Sequence, residues 1–136
     1  MEKKRILIVD DESTYTRMMK LVLEKTGLYE VCQENKGKQA AAVARAFNPD
    51  LVLLDVVMPD MDGGDVAISI REDPRLKNVP IVFLTALVGE TEMRKGPVKR
   101  AGFRFLGKLA SDAELFKCIE ENLRRSPGPI PAPPGW

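Results

Sequence analysis

An α/β fold, a doubly wound five-stranded parallel sheet, is what the sequence predicts. Five short apolar runs alternate with stretches of helical periodicity. The joining stretches are long enough for helical crossovers, which parallel strands require and which place helices on both faces of a sheet. A length of 136 residues is one domain's worth, enough to bury a core but too short for two full-sized domains and a linker.

The elements follow in order. Residues 5–9 (RILIV) are branched and apolar and run into Asp10 and Asp11, the pattern of a buried strand. From 12 to 26, Tyr15, Met18, Met19, Val22 and Leu23 recur at helical spacing, with Ser13 near the start and Gly27 as a stop, and this stripe belongs to the core. Residues 29–33 (YEVCQ) form a second, more polar strand. The Ala-rich stretch 38–47 is helical and ends at Asn48-Pro49, because proline pushes the residue before it out of the helical region.

Residues 51–54 are the most apolar strand. Asp55 follows them, then a loop of Pro, Asp and Gly that leads the chain away and leaves the carboxylate accessible, and a short helix over 65–71. Residues 80–84 (PIVFL) make a fourth strand ending at Thr85. A fourth helix falls between 90 and 101, interrupted by Gly96-Pro97. Residues 103–106 are the fifth strand. A last helix spans 112–125, with Leu115, Ile119 and Leu123 on one face and Ser111 or Asp112 as its cap.

Composition removes several kinds of chemistry. The chain has no histidine, so it carries no Ser-His or Cys-His nucleophile pair, no histidine metal ligand and no phosphohistidine of its own. Its net charge of +1 exerts no general pull on nucleic acid or anionic membrane. Arg94, Lys95, Lys99, Arg100 and Arg104 gather near the fourth helix and fifth strand, where they could meet an acidic partner but read first as a solvated face, and direct DNA binding by this chain is not expected. Two cysteines make no disulfide framework, and no segment approaches the roughly 18 apolar residues of a membrane span. A reduced, cytoplasmic protein is expected.

In open parallel sheets ligands bind beyond the carboxyl ends of the strands, where strand order reverses. With the flavodoxin-like order 2-1-3-4-5, the strand-end residues Asp10, Asp11, Asp55, Thr85 and Lys108 converge on one edge. Clustered carboxylates repel one another unless a cation sits among them. Oxygen ligands suit a hard ion, and Mg²⁺ takes one or two carboxylates while keeping positions for water and phosphate oxygens. A phosphoryl group arriving at a carboxylate brings further negative charge, which the metal and Lys108 would offset, and the Thr85 hydroxyl can donate to another phosphoryl oxygen. Taken singly, Asp10 and Asp11 could merely cap a helix, Lys108 be solvated and Thr85 end a turn. Their coincidence at four strand ends is what those readings do not predict.

The segments IVDDE (8–12), PDLVLLDVVMPDMDGG (49–64), PIVFLTA (80–86) and Lys108 after FRFLG resemble the receiver domain of bacterial response regulators, over roughly residues 3–125. The resemblance implies that Asp55 is the phosphoacceptor, served by a histidine kinase or phosphotransfer partner that supplies the missing histidine. It implies Mg²⁺ held by Asp11, Asp55 and the backbone carbonyl of Val57, with Asp10 nearby and often acting through water. Thr85 and Lys108 would contact phosphoryl oxygens, and Phe105 matches an aromatic switch position, although as part of GFRFLG it also reads as core. The output surface would be the fourth helix, fifth strand and fifth helix, with dimerisation left open.

Some positions depart from the family pattern. Leu109 stands where a proline usually follows the lysine, and Gly96-Pro97 cuts the fourth helix of the output face. Val57 and Leu87 are apolar where groups that influence attacking water often occur, so slow loss of the phosphoryl group is expected. The domain is placed at 1–125. The tail 126–136, with five prolines in eleven residues, reads as an extended linker or docking segment, at the end of either a stand-alone receiver or a receiver cut from a longer protein. Two rivals remain: a small Mg²⁺-dependent haloacid-dehalogenase-like phosphatase, which needs an acid where Val57 stands, and a phosphorylation-independent adaptor. No turnover of an external substrate is expected.

Overall fold

In the computed structural model, which describes residues 2–86 and 104–124, the strands are β1 (Lys4–Val9), β2 (Tyr29–Glu34), β3 (Leu51–Asp55), β4 (Ile81–Thr85) and β5 (Arg104–Gly107). They form one parallel sheet in the order β2-β1-β3-β4-β5. The helices α1 (Ser13–Glu24), α2 (Gly37–Phe47) and α3 (Gly63–Arg71) precede the C-terminal helix of the described residues, Asp112–Arg124. The expected fourth helix, with Gly96-Pro97, Arg94, Lys95, Lys99 and Arg100, lies outside the described residues, as do Leu87 and the tail 126–136.

Alternate residues of a strand face opposite sides, so strands covered on both faces must be apolar throughout. Leu7, Val9, Val52, Leu54, Ile81 and Phe83 pack with Ala40 and Ala44 of α2 and Val66, Ala67 and Ile70 of α3. Ile6, Ile8, Leu51, Leu53, Val82 and Leu84 pack with Met19 and Leu23 of α1 and with Leu115 and Ile119 of the C-terminal helix. The small side chains Ala40 and Ala44 let α2 lie close to the sheet.

Helix ends differ in detail from the sequence reading. α1 stops at Glu24 rather than 26, and Gly27 takes the positive φ of 78° that lets the chain turn into β2. α2 ends on Asn48 in the left-handed conformation, so the stop is set by asparagine as well as by Pro49. α3 begins at Gly63, two residues earlier than periodicity suggests. Ser111 and Glu114 form a reciprocal cap on the C-terminal helix: the Ser111 Oγ accepts from the Glu114 N–H at 3.2 Å, and the Ser111 N–H donates to Glu114 Oε1 at 3.0 Å. Met18 is a correction to the expected core stripe. It is 50% exposed, because the sheet-facing arc of α1 is filled by Met19 and Leu23.

Candidate functional site

Register brings the predicted residues together. Val9 pairs with Leu54, Asp55 with Leu84 and Thr85 with Gly107, so Asp10, Asp55, Thr85 and Lys108 leave four adjacent strands within two residues of one level. Carboxylate oxygens of Asp10, Asp11 and Asp55 all lie within 4.8 Å of one another. Asp10 is fully buried, Asp55 and Thr85 are buried and Asp11 is exposed. The accessible Asp55 of the sequence reading is therefore corrected. Its residue is only 5% exposed, since it ends β3, the central strand between β1 and β4, with Lys108 beside it.

Lys108 closes the cluster. Its Nζ lies 2.7 Å from Asp10 Oδ2, 3.0 Å from Glu12 Oε1 and 3.6 Å from Asp55 Oδ2, and 5.0 Å from the centroid of the Tyr15 ring. Burial alone would lower the ammonium's pKa, but the hydrogen bonds to Asp10 and Glu12 and the charges of Asp10 and Asp55 outweigh it and hold it above the ordinary lysine value. Asp55 is pushed up to about 6, first by burial and then by the charge of Asp10, with Lys108 and the Val57 N–H pulling the other way and Asp11 adding a smaller push upward. Burial also raises Tyr15 to about 12.

An all-oxygen donor set with three crowded carboxylates fits a hard divalent cation: the repulsion that raises Asp55 is what such an ion would relieve. Val57 is 76% exposed, and its N–H makes a long 3.5 Å bond back to Asp55 Oδ1. Two residues after Asp55 there is thus no carboxyl group to serve as the acid of a phosphatase. Phe105 stacks on Phe83 with ring centroids 5.4 Å apart and packs against the α2–α3 core, as its core reading expects. Leu109 is 79% exposed, yet the loop closes: the Lys108 N–H donates to the Thr85 carbonyl at 2.8 Å and the Ala110 N–H to the Gly107 carbonyl at 3.0 Å.

Sequence reasoning overlooked four contributors. Glu12 and Tyr15 surround Lys108. Asn35, just beyond β2, donates through Nδ2 to the Asp10 carbonyl at 2.7 Å and to Thr16 Oγ1 at 3.0 Å, pinning the turn that carries the acidic pair. Asp60 accepts from the Gly37 and Lys38 N–H groups at 3.2 and 3.0 Å, so the loop after Asp55 caps α2. A polar residue directly after a strand was the available signal for Asn35; nothing in spacing marks the others.

A family model described as "Response regulator receiver domain" matches residues 6–120. The chain belongs to the response regulator receiver domain family. Among curated relatives, the response regulator PleD of Caulobacter vibrioides is 38% identical over 120 residues, covering 88% of this chain and 26% of PleD. The DNA-binding response regulator MtrA of Mycobacterium bovis is 34% identical over 124 residues, covering 91% of this chain and 52% of MtrA. This receiver chain therefore spans about a quarter to a half of the length of these relatives. Solved structures similar to it include chemotaxis protein CheY4 of Vibrio cholerae, with a TM-score of 0.77, 27% identity and coverage of 89% of this chain and 99% of that one. The BeF3-activated receiver domain of Klebsiella pneumoniae RstA has a TM-score of 0.77 at 27% identity, covering 90% of this chain and all of its own. As a receiver domain, the chain is a component of two-component signalling, and no described helix is long and apolar enough to cross a membrane.

Proposed function

We propose that the chain is a phosphoacceptor switch in which Asp55 takes a phosphoryl group from a phosphohistidine on a separate kinase or phosphotransfer protein. The observation that carries this reading is the meeting of Asp10, Asp11, Asp55 and Lys108 at one strand edge, with Lys108 Nζ already 3.6 Å from Asp55 Oδ2. Asp10, Asp11, Asp55 and the Val57 carbonyl would hold Mg²⁺, which when bound offsets charge on the phosphoryl oxygens. Raised only to about 6, Asp55 is mostly ionised at neutral pH and can act as nucleophile. Its oxygen bonds to phosphorus as the phosphorus–nitrogen bond breaks, and the donor imidazole leaves with the electron pair. Lys108 pairs with a phosphoryl oxygen, and the Thr85 hydroxyl donates to another.

The same reading assigns the switch to Thr85 and Phe105. New charge at Asp55 draws the β4 end inward and lets Phe105 shift from its stack on Phe83, altering the face formed by β5 and the C-terminal helix. A downstream output protein, an output domain or a second copy of the receiver would read that face, and DNA contact would be left to such a partner. The domain comprises 1–125, the tail 126–136 is a linker or docking segment, and the setting is cytoplasmic.

The test is incubation with Mg²⁺ and acetyl phosphate. One phosphoryl mass per chain, lost in Asp55→Asn, is expected; continuous release of phosphate from a monoester would favour a phosphatase, and no response an adaptor.

A further inference from the structure

We propose that Glu12 is a positioning residue: with Tyr15 as a platform, it draws Lys108 away from Asp55 until a phosphoryl group arrives. The inference rests on the phosphoacceptor reading and adds a residue that opposes capture.

Glu12 occupies the N-cap of α1, where a Ser, Thr, Asp or Asn would normally accept from the first turn. Its side chain makes no such bond. Its backbone is fixed instead, the N–H donating to Asp10 Oδ1 at 3.0 Å and the carbonyl accepting from the Thr16 N–H at 3.1 Å. The carboxylate reaches 3.0 Å to the Lys108 ammonium, 96 residues on. Of the three carboxylates around that ammonium, the two nearest, Asp10 and Glu12, are not the acceptor, and Asp55 is the farthest at 3.6 Å. The Tyr15 ring, 5.0 Å from Nζ, offers a face that favours a cation in this position.

An exposed ion pair is weak by itself, and the Glu12 side chain is 65% exposed. Its leverage comes from competition. Lys108, only 11% exposed, must choose among anions that differ little in distance, so a small bias decides where the ammonium rests. A phosphoryl group on Asp55 brings more charge than a carboxylate and outbids Glu12, which sets a threshold for capture.

The experiment measures acetyl phosphate labelling and beryllofluoride titration with Mg²⁺, together with the ¹⁵Nζ resonance of Lys108 in the unphosphorylated protein. Glu12→Gln should raise the labelling rate and beryllofluoride affinity by roughly threefold to thirtyfold, and in a Lys108→Ala background it should change them by less than about twofold. Glu12→Asp keeps the charge but shortens the reach, so it should behave like Glu12→Gln; both should shift the Lys108 resonance. An unmoved resonance, an undiminished effect of Glu12→Gln without Lys108, or wild-type behaviour of Glu12→Asp would overturn the proposal. Failure of the phosphoacceptor reading is separate: the wild type would then take up no phosphoryl group, while the resonance would still report whether Glu12 holds Lys108.

Discussion

At the scale of the residue, Asp55 is a carboxylate that folding makes harder to ionise. Its ordinary value of 3.8 rises to about 6 because burial and the charge of Asp10 disfavour the anion more than Lys108 favours it. Between those values the folded chain binds more protons than the unfolded one, so this group's contribution to stability falls as pH rises through that window. Asp55→Asn removes the penalty. Urea unfolding without divalent cations should therefore show the variant gaining on the wild type from about pH 4 to about pH 6, then levelling at an advantage on the order of 1–3 kcal/mol. Val57 makes a second case. Its exposed isopropyl group offers nothing to orient or activate water beside Asp55, so the phosphorylated protein should keep its label for minutes or longer in Mg²⁺ buffer. A lifetime of seconds, followed by mass spectrometry, would contradict this.

Elements place these residues through contacts that no single segment contains. The loop between β3 and α3 is anchored at both ends: Asp60 caps α2, and Gly63 lies against the backbone carbonyls of Asp55 and Val56, donating its own N–H to the Val56 carbonyl at 3.0 Å. A Cβ at Gly63 would press on backbone that cannot rotate aside. Gly63→Ala should thus destabilise the protein by about 1–3 kcal/mol and slow labelling of Asp55, measured by thermal unfolding and acetyl phosphate uptake. Gly37 is less tightly placed, a Cβ there meeting side chains rather than backbone: Met61 Cβ at 3.1 Å and Val66 Cγ2 at 3.2 Å. The elements and most of their boundaries, to within one or two residues, were legible because apolar periodicity, Gly27 and Asn48-Pro49 act locally. The start of α3 at Gly63 was not, since it is set by packing against β3 rather than by helical preference.

For the whole molecule, the parallel sheet puts four strand ends on one side, and a divalent cation bound there is linked to global stability. Mg²⁺ should raise the unfolding temperature of the wild type by mass action, and much less that of Asp11→Asn or Asp55→Asn, as scanning calorimetry would show. The sequence by itself determined the five strands, the covered faces and the strand-end residues, because side-chain alternation and polar termination are written within each segment. Only the tertiary structure decided that Asp55 is buried, that Met18 is half exposed, and that Lys108 rests nearer Asp10 and Glu12 than Asp55. The physical reason is that burial and ion pairing at the site depend on the register of β1, β3, β4 and β5, which sets distances between residues as far apart as Glu12 and Lys108 and leaves no mark on the spacing of either.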